Sequence, residues 1–129
     1  MSITLETYKN IDGILVPIEF DSFAFTPKRI FYVYGVPAGE ERGLHAHYET
    51  QQVLVCLQGS ILVKLHDGFR EQYYTLSQND SVFVDKMVWD SQTYLTGDDI
   101  LLSICSTKYD KQDYIEDFKM FLKKARGDK

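Results

Sequence analysis

Two of the three histidines in this chain, His45 and His47, stand two residues apart in the segment Gly39-Glu-Glu-Arg-Gly-Leu-His-Ala-His. In a β-strand, residues i and i+2 project from one face, about 7 Å apart along the chain. Two imidazoles so placed look into the same space. Imidazole exchanges protons near neutral pH, and its unprotonated nitrogen is also a metal ligand. The pair therefore predicts either general acid–base chemistry or a metal centre. The third histidine, His66, stands beside Asp67-Gly68 at a predicted hairpin end, where a solvated surface position is expected.

Such a pair needs strands to carry it, and short strand signals recur along most of the chain. They fall at 3–8, 14–19, 30–34, 44–48, 53–57, 60–66, 71–76, 81–84, 91–95 and 100–106. Asp67-Gly68 is a two-residue hairpin signal, and Gln58-Gly59 and Gly97-Asp98 mark other turns. The period changes near the C-terminus, where Tyr114, Ile115, Phe118, Phe121 and Leu122 share one helical face. Asp110 is the expected cap of that helix, with Lys123, Lys124 and Arg126 near its end. Many strands followed by one helix predict an all-β sandwich or barrel with a C-terminal helix, able to hold one small ligand among its inward side chains.

With 129 residues the chain fits one domain with a real core. Its net charge of −5 argues against a surface for polymeric nucleic acid, which needs a basic stripe, but leaves room for one nucleotide met by a local Arg. No apolar run approaches a membrane span and the N-terminus lacks a basic-then-apolar leader pattern, so a cytoplasmic protein with no membrane partner is expected. Cys56 and Cys105 both lie in apolar runs and read as buried, reduced thiols.

The spacing resembles the first cupin motif: Gly39, five residues, His45-Ala-His47, four residues, Gln52, six residues, Gly59. Gln52 stands where cupins usually carry a metal-ligating Glu. In the second cupin motif the register falls on Asn79, Asp85, Met87, Asp90 and Tyr94, so Asp90 takes the place of the third histidine ligand. The resemblance implies a double-stranded β-helix, a jelly-roll barrel, forming one domain over 1–129, with strands at about 3–106 and the helix at about 111–124. Gln is a neutral, weak ligand. Asp90 can in principle complete a two-His-one-carboxylate set, but its side chain is shorter than that of His.

A narrower likeness runs over nearly the whole chain. Lys28-Arg29-Ile30-Phe31-Tyr32-Val33-Tyr34, Arg42-Gly43-Leu44-His45-Ala46-His47 and Gln52-Val53-Leu54-Val55-Cys56-Leu57-Gln58-Gly59 resemble the nucleotide-sugar 3,4-ketoisomerases, the WxcM-like cupins. Val88-Trp89 and Tyr109-Asp110-Lys111-Gln112-Asp113-Tyr114-Ile115 extend the match, and the family also carries Gln at the position of Gln52. The resemblance implies an isomerase without metal or other cofactor. It would convert a thymidine diphosphate 4-keto-6-deoxyhexose to the 3-keto isomer, for transamination to a 3-amino sugar of lipopolysaccharide or another surface glycan. It also implies a homodimer. Two positions depart from the family, Asp12 before Gly13 and Asp90 after Trp89, where members carry larger or basic residues; both bear on the C4 stereochemistry of the product.

Moving a carbonyl by one carbon passes through an enediol, which needs a base for C3–H and a donor for the C4 oxygen. His47 is the expected carbon base and His45 the partner that protonates or stabilises oxygen, with Tyr32 as a further phenolic donor. Arg42 is expected on the diphosphate or a sugar hydroxyl. Gln52 is expected on a histidine or the sugar, Trp89 in the pocket wall, and Asp90 and Asp12 near the sugar. The competing readings are a metal-dependent cupin oxygenase and a non-catalytic cupin that binds sugar nucleotides.

Overall fold

The computed structural model describes residues 2–127. In chain order the strands are β1 (Ser2–Thr4), β2 (Tyr8–Asn10), β3 (Gly13–Leu15), β4 (Arg29–Val33), β5 (Glu41–His47), β6 (Gln52–Gln58), β7 (Ser60–His66), β8 (Glu71–Ser77), β9 (Asp80–Val84), β10 (Trp89–Tyr94), β11 (Ile100–Cys105) and β12 (Tyr114–Ile115); one helix follows, α1 (Phe118–Ala125). Alternation explains the strands: in β7 the even steps Ile61, Val63 and Leu65 are buried while their neighbours are half-buried.

Two five-stranded antiparallel sheets result, ordered β1-β9-β6-β11-β4 and β12-β5-β10-β7-β8. Leu54, Val82, Val84 and Leu101 of the first sheet meet Ile61, Val63, Leu65, Leu76 and Tyr94 of the second in one core. This is the expected all-β jelly-roll sandwich with a C-terminal helix. No helix among the described residues is long and apolar enough to cross a membrane. Both cysteines are buried and unpaired.

Three local features differ from the sequence reading. The strand expected at 14–19 stops at Leu15; Phe20, Phe23 and Phe25 instead form an edge-to-face chain, with ring centroids 5.2 and 5.4 Å apart, that lays the segment on Phe83. Asp67-Gly68 is part of a four-residue connection, because His66 pairs with Glu71 and the Asp67 carboxylate accepts from the N–H groups of Phe69 and Arg70. Asp67 thus caps a wider loop rather than forming a two-residue turn.

The third difference is the C-terminal segment. Asp110 caps only a 3-10 turn at Lys111–Asp113, and Tyr114–Ile115 then pairs as a strand with His47 and Ala46. The helix begins after Asp117, whose side chain accepts from Met120 N at 3.0 Å. Ile115 and Phe121 do bury on one surface, with Ala46 and Trp89, but a strand and then a helix bring them there. His66 also belongs to this surface: its ring stands edge-on to Phe118 at 5.4 Å, so it is half-buried rather than solvated.

Candidate active site

β5 does not run straight into the histidine pair. Gly43 and Leu44 have φ of 84° and 59°, both in the left-handed region. The pairing with β10 steps from His45↔Asp90 to Gly43↔Ser91, leaving Leu44 without a partner. This β-bulge re-aims His45. A left-handed Leu costs about 1–2 kcal/mol, and such strain persists where neighbours fix it. Gly43 is required there, since a Cβ would lie 2.8 Å from Gln92 Nε2 and 3.1 Å from the Asp90 carbonyl oxygen.

Beyond the bulge lies a cavity of about 100 Å³, lined by Phe31, Val33, Leu54 and Leu101 and by the polar Arg42, His45, Gln52, Asp90 and Gln92. It is smaller than the roughly 300–1,000 Å³ that encloses a drug-sized ligand, so it can take in only part of one. A hollow of about 230 Å³ between β1 and the 22–24 segment is larger, but no titratable side chain lines it.

The His45 ring is held by Nδ1–H, which donates to the Gly43 carbonyl at 3.1 Å. That bond fixes the tautomer, leaving the Nε2 lone pair free. Burial lowers the pKa of His45, so the ring is neutral at neutral pH. Asp90 is 1% exposed; Gln92 Nε2 donates to its Oδ1, and its Oδ2 is buried without a partner, 3.9 Å from His45 Nε2. Burial pushes the Asp90 carboxyl up to about 7. The separation would admit an ion pair, yet desolvation works against charge on both groups, so a neutral imidazole faces a carboxyl that readily holds its proton.

His47 is 2% exposed, and its Nε2 also lacks a partner. Burial, reinforced by the neighbouring His45, lowers it to about 4. Its ring lies 4.9 Å from that of His45 and 4.4 Å from that of Tyr114, which in turn lies 5.0 Å from His45. His47 is thus enclosed in an aromatic cluster beside the cavity, while His45 lines it.

Arg42, His45, Gln52 and Asp90 are brought together. Gln52 lines the cavity but is bound to no histidine: its amide N–H donates to Ser103 Oγ at 3.0 Å. Tyr32 is not in the cavity. Strand alternation sends its neighbours Phe31 and Val33 inward and leaves Tyr32 64% exposed, against Tyr34. Trp89 does not line the cavity either; it packs on Phe118 and Phe121 at 5.1 and 5.7 Å, beneath α1. Asp12 sits in the exposed turn between β2 and β3, its N–H bound to Asn10 Oδ1, away from the cavity.

Two residues near the chemistry went unassigned by sequence. Tyr114 was absorbed into the helical pattern, and no local signal separates a buried strand residue from a helical one over so short a run. Gln92 was within reach, since it follows Asp90 by two residues on one strand and must share its face.

His45, His47 and Asp90 each present one ligand atom, all within 4.8 Å of one another, so the Asp90 carboxylate does reach the histidine pair. A divalent ion would be held by these three. The fourth place, a carboxylate in metal cupins, is Gln52, a neutral donor whose amide N–H is bound to Ser103 Oγ. With burial also working against charge on Asp90, this donor set carries less negative charge than that of metal cupins.

The profile of the family described as FdtA, WxcM-like, C-terminal, matches residues 1–126. The chain belongs to this FdtA family. A curated relative, the TDP-4-oxo-6-deoxy-α-D-glucose-3,4-oxoisomerase of Aneurinibacillus thermoaerophilus, is 38% identical over 113 residues, covering 86% of this chain and 81% of the relative. The crystal structure of a 3,4-ketoisomerase from Helicobacter canadensis superposes with a TM-score of 0.91 at 29% identity, covering 98% of this chain and 96% of the other. QdtA, a sugar 3,4-ketoisomerase from Thermoanaerobacterium thermosaccharolyticum solved with TDP, matches equally well: TM-score 0.91, 29% identity, and coverage of 98% and 94%. A His-to-Asn variant of QdtA has been solved with TDP-4-keto-6-deoxyglucose. In this FdtA-family chain the bulged β5 and the facing Asp90 form the polar wall of the cavity.

Proposed function

We infer that the protein is a thymidine diphosphate sugar 3,4-ketoisomerase, converting a 4-keto-6-deoxyhexose to its 3-keto isomer through an enediol without a metal ion. The observation that carries this reading is His45, braced at Nδ1 with its Nε2 free, facing the buried and unpartnered Oδ2 of Asp90 at a small cavity. The C4 ketone acidifies C3–H. An imidazole removes that hydrogen, its N–H exchanges with solvent, and it then protonates the adjacent C4.

His45 is the better candidate for the carbon base, reversing the division expected from sequence. Its Nε2 faces the cavity and its Nδ1–H is braced by Gly43. His47 lies outside the lining and is the weaker base, lowered to about 4. It acts as a neutral wall against which His45 is held. Arg42, at the cavity, meets the diphosphate or a sugar hydroxyl. Gln52 keeps a negative charge out of the place where it would recruit an ion. The product feeds 3-amino-3,6-dideoxy sugars of surface glycans such as lipopolysaccharide, made in the cytoplasm.

The test is isomerisation in deuterium oxide by chelator-treated protein. TDP-4-keto-6-deoxyglucose should be converted at an unchanged rate, with deuterium entering C4. Activity that disappears on chelation and returns with iron or manganese would establish the metal-dependent reading instead. Binding without any hydrogen exchange would make the protein a sugar-nucleotide carrier.

The working unit in this reading is a homodimer. The β2–β3 hairpin buries no apolar side chain on its own chain: Tyr8, Ile14 and Leu15 are 58%, 59% and 61% exposed, and Ile11 is 99% exposed. Ile30 and Tyr32 on β4, with Tyr34 just beyond its end, add further exposed apolar side chains. Contiguous apolar surface of this kind is normally covered by a partner. Light scattering should give twice the chain mass of 15.0 kDa, and Ile14→Asp should shift the protein to monomer. A wild-type monomer at micromolar concentration would overturn the dimer.

A further inference from the structure

Isomerisation relocates two hydrogens of different kinds. One moves from C3 to C4, and His45 serves that transfer. The other moves between oxygens, because the C3 hydroxyl becomes a ketone while the C4 ketone becomes a hydroxyl. The donors expected for the oxygens do not serve them: His45 works on carbon, and Tyr32 is exposed and outside the cavity lining.

Asp90, Asp99 and Asp113 are the buried carboxylates among the described residues. Asp99 accepts from the N–H groups of Ser60, Thr96 and Gly97 and from the Thr96 hydroxyl. Asp113 accepts from the N–H groups of Glu49 and Thr50 and from the Thr50 hydroxyl. Both are saturated and serve the fold. Asp90 alone keeps an oxygen in reserve: Gln92 occupies Oδ1, while Oδ2 is buried, unpartnered and 3.9 Å from the free nitrogen of His45. A buried polar atom left without a partner costs free energy, so its persistence at the cavity wall asks for a ligand that completes it.

We propose that Asp90 is the catalytic group that shuttles the proton between the two sugar oxygens, working as one unit with His45. In the first step His45 Nε2 takes the hydrogen from C3 while the Asp90 carboxylic acid gives its proton to the C4 oxygen. The products are a neutral enediol, an imidazolium and a carboxylate. In the second step the imidazolium protonates C4 and the carboxylate takes the proton from the C3 oxygen, which becomes the ketone. Both side chains end as they began, and no co-reactant is consumed. The intermediate ion pair is stabilised by its own proximity in a site of low dielectric, and the Gln92 N–H supports the carboxylate.

This relay rests on the isomerase reading, and the experiment separates the two. Wild-type protein is first assayed with TDP-4-keto-6-deoxyglucose in deuterium oxide; absence of both conversion and exchange would sink the isomerase reading itself. Asp90→Asn, which keeps the shape and the Gln92 contact site, is then compared at saturating substrate. Turnover should fall by at least about 10²-fold, in the range expected for a lost acid–base group, with TDP affinity little changed. The diagnostic readout is deuterium at C3 of recovered substrate per product formed. It should rise, because His45 still removes the hydrogen but the enediolate lacks the oxygen transfer that commits it forward. Asp90→Ala should regain part of its turnover on addition of formate, which does not depend on how the Asn side chain settles. Wild-type-like turnover in Asp90→Asn, or parallel loss of exchange and conversion with no formate rescue, would overturn the relay while leaving the isomerase standing.

Discussion

His45→Asn should lower turnover by at least about 10³-fold, some 4 kcal/mol of transition-state stabilisation, while TDP affinity stays within a few-fold. Asn can still offer an N–H toward the Gly43 carbonyl that holds the imidazole, so the bulge keeps its anchor. What disappears is the basic nitrogen that faces Asp90 across the cavity. The loss should appear in kcat rather than KM, since the imidazole does its work as C3–H breaks. Deuterium exchange at C3 should vanish together with conversion, in contrast to Asp90→Asn. His47→Asn serves as the comparison and should be milder, because His47 is enclosed by His45 and Tyr114. Near-normal turnover in His45→Asn with collapse in His47→Asn would return the carbon base to His47.

Gly59→Ala should destabilise the fold by about 2–4 kcal/mol, the largest effect on stability predicted for so small a change. Gly59 joins β6 to β7 with φ of 90°, a conformation that costs a residue with a Cβ about 1–2 kcal/mol. The added methyl would also lie 2.0 Å from Asp99 Oδ1 and 3.0 Å from its Cα. Asp99 is fully buried, and displacing it strands the donors of Ser60 and Thr96, at about 1–3 kcal/mol for a buried group left unmade. Urea unfolding should show a lower midpoint with an unchanged slope. Gly97→Ala is the control: it shares φ of 90° but its Cβ would meet only Ala38 at 3.8 Å, so it should cost backbone strain alone. Equal midpoints for the two variants would remove the Asp99 collision from the account.

Parts of the site were legible because the chain's periodicity is local. His45, Gln52 and Asp90 could be placed in one candidate site from the cupin register that the chain resembles, and Arg42 from its place beside the histidines. Tyr32 and Trp89 were drawn toward the pocket by their chemistry, but a strand of period two turns Tyr32 outward, and a docked helix claims Trp89. The C-terminal apolar residues carried a helical spacing that a strand followed by a helix satisfies equally well, because both bury Ile115 and Phe121 on one surface.

By itself, then, the amino-acid order determined an all-β chain of alternating strands, a histidine pair on one face and, through its likeness to the cupin motif, an amide where a carboxylate ligand would stand. These are properties of neighbours along the chain, enforced by strand period and turn chemistry. Only the tertiary structure decided which imidazole faces the cavity. That choice follows from a bulge at Gly43-Leu44, where β5 slips against β10, and from burial that strips Asp90 of every donor but Gln92. Both depend on strands distant in sequence and on the exclusion of water, neither of which is written in local spacing.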